Sequence, residues 1–291
     1  DGTTISTTGA QAYSATATGN RYHGFNLADN ASVALTSFGA ISMTGMLGTA
    51  NGHTGRLTIN TSAGNSDVTL NTPVGVSGVD YGLAELTVNA GTGAITLGTH
   101  NGQAWGTANT LSFTGGAVNA TANLNSFSTL TVTNSVGGTF SGVLSGSGSL
   151  TKAGIGTLTL TAHNGYAGGT NINAGTLNID VQGHQGASAV GVNKAVFVAS
   201  GATLRLNKTD GLGYYGANPS SLTIAGAMTI AAGIHSSIGN FGITLDGGTL
   251  TSEGSGSGSG NYILDGTMTT LANAASSVIS ANAIGLRNGS T

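Results

Sequence analysis

The sequence predicts an all-β fold, a right-handed parallel β-helix (β-solenoid) running over residues 1–291 as a single segment. Three observations predict it. A short apolar-polar-apolar phrase recurs along nearly the whole chain, which puts aliphatic side chains on one face of each strand and Thr, Ser or Asn on the other. Glycine accounts for 51 of the 291 residues and proline for 2, while only 6% are charged, against roughly 25% in ordinary globular domains. One phrase returns almost unchanged a short way along the chain: Gly156-Thr157-Leu158-Thr159-Leu160 comes back as Gly175-Thr176-Leu177-Asn178-Ile179.

Taken in order, the phrase appears as Leu57-Thr58-Ile59, Val68-Thr69-Leu70, Leu86-Thr87-Val88, Ile95-Thr96-Leu97, Leu111-Ser112-Phe113 and Leu130-Thr131-Val132. The two near-copies follow. Leu204-Arg205-Leu206, Leu222-Thr223-Ile224, Met228-Thr229-Ile230 and Ile243-Thr244-Leu245 complete the series. Each predicts a strand, because a period of two brings every second side chain to the same face. Gly, Asn, Ser and Asp lie between them and supply turns. No segment carries a capped 3.6-residue apolar pattern, so helix is not expected. The nearest helical candidate, 272–283, reads as strand because of Val278, Ile279 and its serines.

A β-sandwich and a parallel solenoid both use short strands. A sandwich needs hairpin turns between paired strands, and Asn-Gly pairs such as Asn51-Gly52 and Asn101-Gly102 do not fall regularly enough to supply them. A solenoid needs coils of roughly 20–30 residues with two or three strands each, which the offset of the near-copies suits. Its interior would hold stacked Leu, Ile and Val, with Thr, Asn and Ser in ladders outside. Residues 207–221 (NKTDGLGYYGANPSS) break the rhythm, hold one of the two prolines and read as a loop excursion. Residues 253–261 (EGSGSGSGN) read in isolation as a flexible linker and, between Thr249-Leu250 and Tyr262-Ile263-Leu264, equally as a Gly/Ser-rich turn between coils.

Composition also excludes. The aliphatic content and low charge oppose disorder, and glycine at irregular positions excludes collagen. The net charge is −3 with 7 basic residues scattered singly, so no cluster exists to neutralise nucleic-acid phosphates. Cysteine is absent, which removes disulfides and thiolate chemistry. No run reaches the roughly 18 apolar residues of a membrane helix, so membrane insertion of this segment is not expected. Low charge leaves little repulsion between copies and favours their association.

The stretch 146–179 holds a glycine-serine opening, Leu150-Thr151-Lys152, Gly156-Thr157-Leu158-Thr159-Leu160, Tyr166 ahead of Gly168-Gly169-Thr170, and a closing Ala174-Gly175-Thr176-Leu177. It resembles the passenger-associated repeat of bacterial autotransporters. Ile5-Ser6-Thr7-Thr8-Gly9-Ala10-Gln11-Ala12-Tyr13 resembles a phrase of very large secreted adhesins of the filamentous haemagglutinin type. The resemblance implies a secreted β-helical passenger, extracellular or on the bacterial surface. It also implies that this segment is a mature part of a longer product.

Candidate chemistry is sparse. The acids Asp1, Asp29, Asp67, Asp80, Glu85, Asp180, Asp210, Asp246, Glu253 and Asp265 are scattered, and only Asp80 and Glu85 are near in sequence. Polysaccharide lyases and hydrolases need grouped carboxylates, which only the stacking of coils could supply; solvated turn positions, which Asp commonly occupies, are the preferred reading of these acids. His23, His53, His100, His163, His184 and His235 form no metal-ligand spacing, so neither metal nor cofactor is expected. No nucleophile elbow, calcium nonapeptide or phosphate loop is present. Trp105 in a turn-like context, and Tyr214 and Tyr215 in the loop excursion, are the candidate binding residues, because loop aromatics stack on sugars or anchor partners. The competing role for such rings is to cap the apolar interior. Tyr22-His23 near the start is a weaker candidate of the same kind. The expected function is a non-catalytic structural or adhesive segment whose copies stack end to end into a filament. Its partners would be copies of itself, a host or neighbouring cell surface, and glycans. A polysaccharide-active β-helix enzyme and a carbohydrate-binding module are the rivals.

Overall fold

The computed structural model describes residues 2–14, 24–28, 30–49, 54–72, 74, 82–100, 102–106, 108–184, 187–191, 193–214, 218–238, 241–254, 260–272 and 275–287. Every regular element among them is a β-strand, so no helix there is long and apolar enough to cross a membrane. The chain divides into two compact units, Asp1–Gly148 and Ser149–Thr291.

In the first unit, one side is a parallel ladder of Gly2–Thr7, Ser32–Ser37, Arg56–Asn60, Leu83–Asn89, the first half of Ala108–Ala120 and the first half of Phe127–Phe140. A second side stacks Gln11–Ser14, Ile41–Thr44, Val68–Asn71, Ile95–Leu97 and the second half of Ala108–Ala120. The third side is slighter. It pairs Gly24–Leu27 with Met46–Thr49 and continues through isolated bridges Leu47–Val74, Trp105–Leu124 and Leu124–Leu144.

The second unit repeats the plan. Thr157–Leu160, Thr176–Ile179, Thr203–Leu206, Ala227–Ile230, Thr249–Ser252 and Val278–Ser280 form one parallel side. Ser149–Ala153, Thr170–Ile172, Ala195–Val198, Ser221–Ile224, Ile243–Leu245 and Met268–Thr270 form the next. His235–Ile238, Asn261–Leu264 and Ala283–Leu286 form the third. The antiparallel exception among the described residues is a lone bridge between His184 and Ala187. A parallel β-solenoid, as the sequence predicts, is therefore the fold, and each recurring phrase is a strand of it.

Registers show why the alternation works. Leu57 faces Leu86, which faces Leu111, which faces Leu130, and all four are buried. Leu158, Leu177, Leu204, Met228 and Leu250 make the matching column in the second unit, each fully buried. Full burial of such a side chain contributes about 1.5–3 kcal/mol. The polar partners of the phrase form the outer columns, for example Thr58, Thr87, Ser112 and Thr131. Coil length varies: Phe113 lies over Val132 in a short coil, whereas Ile5 lies over Leu35 in a much longer one.

The structure extends two strands beyond the alternating phrases. Ala108–Ala120 and Phe127–Phe140 carry Gly115-Gly116 and Gly137-Gly138 in their middles and bend from one side to the next, with a register shift between Gly115 and Ala117. The reason is close backbone approach. A Cβ on Gly116 would lie 2.1 Å from the Thr92 carbonyl oxygen, and one on Gly138 would lie 2.0 Å from that of Val118. These glycines are corners within a strand, where composition alone suggests a break.

Candidate functional site

Of the three aromatics offered by the sequence, Trp105 is misplaced. It is not a surface ring: it is 1% exposed, bridges to Leu124 and donates its indole N–H to the Gly98 carbonyl at 2.9 Å. The turn-like sequence around it is the third side of a coil, and its ring fills that corner of the interior. Stacking on a glycan would require extracting it. Tyr214 is half-buried within the segment joining Thr203–Leu206 to Ser221–Ile224. Tyr215 lies outside the described residues, as do Tyr22 and His23. The segment is pinned to its unit. Leu212 is fully buried, and the Asp210 carboxylate accepts the Ser237 N–H at 2.6 Å. The Gly/Ser turn is closed at its base by the Ser252 hydroxyl donating to the Gly260 carbonyl; residues 255–259 lie outside the described ones.

Described carboxylates are held by cations, amides and backbone N–H groups, and Asp180 and Glu253 are joined in one network through Arg205 and Asn207. Asp67 accepts the Ala94 N–H, Glu85 faces Arg56 at 3.6 Å, Asp180 accepts from Asn207, and Asp265 pairs with Arg287 at 3.1 Å. Among the described residues no three His, Asp or Glu side chains converge to hold a metal ion. Asp1, Asp29 and Asp80 lie outside the described residues.

The densest polar constellation is one the sequence does not advertise. Arg205 points outward from its strand and forks onto Glu253, with Nε at 2.9 Å from one carboxylate oxygen and Nη2 at 2.7 Å from the other. Its Nη1 donates to the side-chain oxygens of Asn178 and Asn207. Asn207 in turn donates to Asp180, which Lys208 approaches at 3.7 Å. The hydrogen bond from Arg205 holds Glu253 below the ordinary carboxylate range, and the same bond holds Arg205 above its own. The strand Ala227–Ile230 separates the two partners, so the bridge straps three successive coils. Both ends are partly exposed, so the strap is worth about 0.2–1 kcal/mol. Arg205 and Glu253 are 48 residues apart in sequence, which is why spacing could not find them.

The interior holds a charged residue as well. Lys152 is fully buried, and its ammonium donates to the carbonyls of Ala153, Gly154 and Ala174 at 2.7, 2.7 and 3.0 Å. Desolvation pulls its pKa down to about 8. Nearby, the Tyr166 hydroxyl meets that of Thr170 inside the coil, and burial pushes the phenol up to about 12. These are the lysine, the aromatic and the threonine of the repeat-like stretch. Its pattern therefore encodes interior hydrogen bonds around a coil.

Residues 150–179 match the Passenger-associated-transport-repeat family. The passenger repeat thus covers one full coil and two sides of the next, from Leu150 to Ile179, with Lys152, Tyr166 and Thr170 as its interior polar residues. The chain is also similar to the adhesin BmaC autotransporter of Brucella suis biovar 1 (strain 1330), at 33% identity over 131 residues, 44% of this chain and 3% of that protein. The chain thus spans a small part of the relative's length. No solved structure matches it. The resemblance to autotransporter passengers read from the sequence is borne out, and with it an extracellular location, on the bacterial surface or released from it.

Proposed function

We propose that this segment is a non-catalytic scaffold of a bacterial surface adhesin. The observation that carries the reading is the similarity over 131 residues to an autotransporter adhesin. The pairing of Glu85 with Arg56, Glu253 with Arg205 and Asp265 with Arg287 supports its non-catalytic side, because glycoside cleavage needs two acids facing one scissile bond. The ligand is a host or neighbouring cell surface, met through the outer columns of uncharged Thr, Ser and Asn. The test is retention of beads coated with the purified segment on host-cell and bacterial layers. Several-fold more retention than albumin-coated beads is expected, and equal retention removes the adhesive role. Turnover of a pectin-like or host glycan that a single Asp substitution abolishes would replace the scaffold with an enzyme.

Copies of the segment also stack end to end. The support is composition: with 6% charged residues and a net charge of −3, copies repel one another little, which favours their association. Electron microscopy of purified material should show filaments, and a monodisperse population of short particles would remove stacking.

A further inference from the structure

Two histidines on separate coils meet on the surface of the second unit. The rings of His163 and His184 lie with centroids 4.6 Å apart and planes at 78°. Their coils are successive, and strands of successive coils run roughly 4.7–4.9 Å apart. The backbone around both is held. Asn164 donates its N–H to the Ser188 carbonyl at 2.8 Å and its side-chain amide to the Ala189 carbonyl at 2.7 Å. On the next coil, Gly183 donates to the Thr209 carbonyl, and Ala187 to the carbonyl of His184, each at 3.0 Å. His163 is half-buried and His184 is exposed, so solvent reaches the pair.

A second observation concerns the tautomer. His163 Nε2 lies 2.8 Å from the Gln182 carbonyl oxygen. A carbonyl only accepts, so Nε2 carries the proton, and Nδ1 of the neutral ring keeps its lone pair. A ring nitrogen donating to a backbone carbonyl while the other ring nitrogen binds metal is the usual outer-shell arrangement of metal-ligating histidine.

We propose that His163 and His184 together hold one divalent transition-metal ion of the zinc, nickel or copper kind, which staples their two coils. Metal–nitrogen bonds of about 2.0–2.1 Å place two imidazoles on one ion with their ligating nitrogens roughly 3 Å apart, a separation that adjacent coils span. Imidazole donors select these ions over magnesium and calcium, which prefer oxygen. With no third His, Asp or Glu converging among the described residues, water completes the coordination. The site is independent of the adhesive reading, and it departs from the expectation that no metal binds.

The test is calorimetric titration of the untagged protein with NiCl2, with MgCl2 as control, alongside thermal melts. Saturable one-to-one binding of nickel and a melting point several degrees higher with nickel than without are expected, with neither effect from magnesium. His163→Ala and His184→Ala should each abolish both effects while keeping the metal-free circular dichroism and melting point. His100→Ala, in the other unit, should keep both. His163→Gln and His184→Asn serve if either alanine variant misfolds. Nickel binding that is absent at millimolar concentration, or that survives loss of either histidine, overturns the proposal.

Discussion

Lys152 shows how a single residue makes the stability of a coil depend on pH. Its folded pKa of about 8 lies below the ordinary lysine value of about 10.4. Between those values the unfolded chain binds more protons than the folded one, so stability rises with pH across that window, by up to roughly 3 kcal/mol, and is flat below it. Tyr166 acts in the opposite direction. Its phenol, raised to about 12, stays protonated in the fold after the unfolded chain has lost its proton, so stability falls above about pH 10. Urea midpoints measured from pH 7 to 11 should pass through a maximum near pH 10, and Lys152→Met should remove the rising limb. A rising limb that persists in the variant would detach it from Lys152. Trp105 gives a second outcome. As the sole tryptophan, buried at 1% exposure, it should emit at short wavelength and resist acrylamide quenching in the native state. Trp105→Ala should cost about 3–5 kcal/mol through the cavity it leaves, read from chemical denaturation.

Strands that turn a corner depend on the glycines at the bend. Gly138→Ala forces a Cβ to within 2.0 Å of the Val118 carbonyl oxygen on the neighbouring coil. Backbone on both sides is held by the ladder, so the strain cannot be relieved by one rotamer, and a loss of at least about 2 kcal/mol is expected. Gly165, in a short strand of the other unit, has nothing within 4 Å of the point where a Cβ would stand, so Gly165→Ala should stay within about 0.5 kcal/mol of the parent. Denaturant midpoints of the two variants check the contrast, and equal losses would mean that the corner relaxes.

Within each unit, stability is a chain of neighbour contacts. A strand such as Thr176–Ile179 pairs with Thr157–Leu160 on one side and Thr203–Leu206 on the other, so each coil is supported by the one before and the one after. Leu177, fully buried with coils on both sides, should cost about 2–5 kcal/mol when changed to alanine. Ile279, 46% exposed and paired to one side among the described residues, should cost under about 1 kcal/mol, since truncating an exposed side chain leaves no cavity. Hydrogen exchange should follow the same gradient: amides of Thr176–Ile179 exchange more slowly than those of Val278–Ser280. Uniform protection across both strands would replace neighbour-by-neighbour support with a single cooperative unit.

The sequence by itself determined where the principal strands lie, which of their faces points inward, and the kinship of residues 150–179 with passenger repeats. Alternation is a local property, readable from a few consecutive residues such as Leu177-Asn178-Ile179. Strands without alternation, such as His235–Ile238, escaped that reading. Tertiary structure alone decided that Trp105 faces inward, that Lys152 is buried under three carbonyls, that Arg205 reaches Glu253 and that His163 meets His184. The reason is register. Coil length changes from one turn to the next, so the residue lying over a given side chain is set by how the backbone closes each coil, and no fixed spacing in the chain records it.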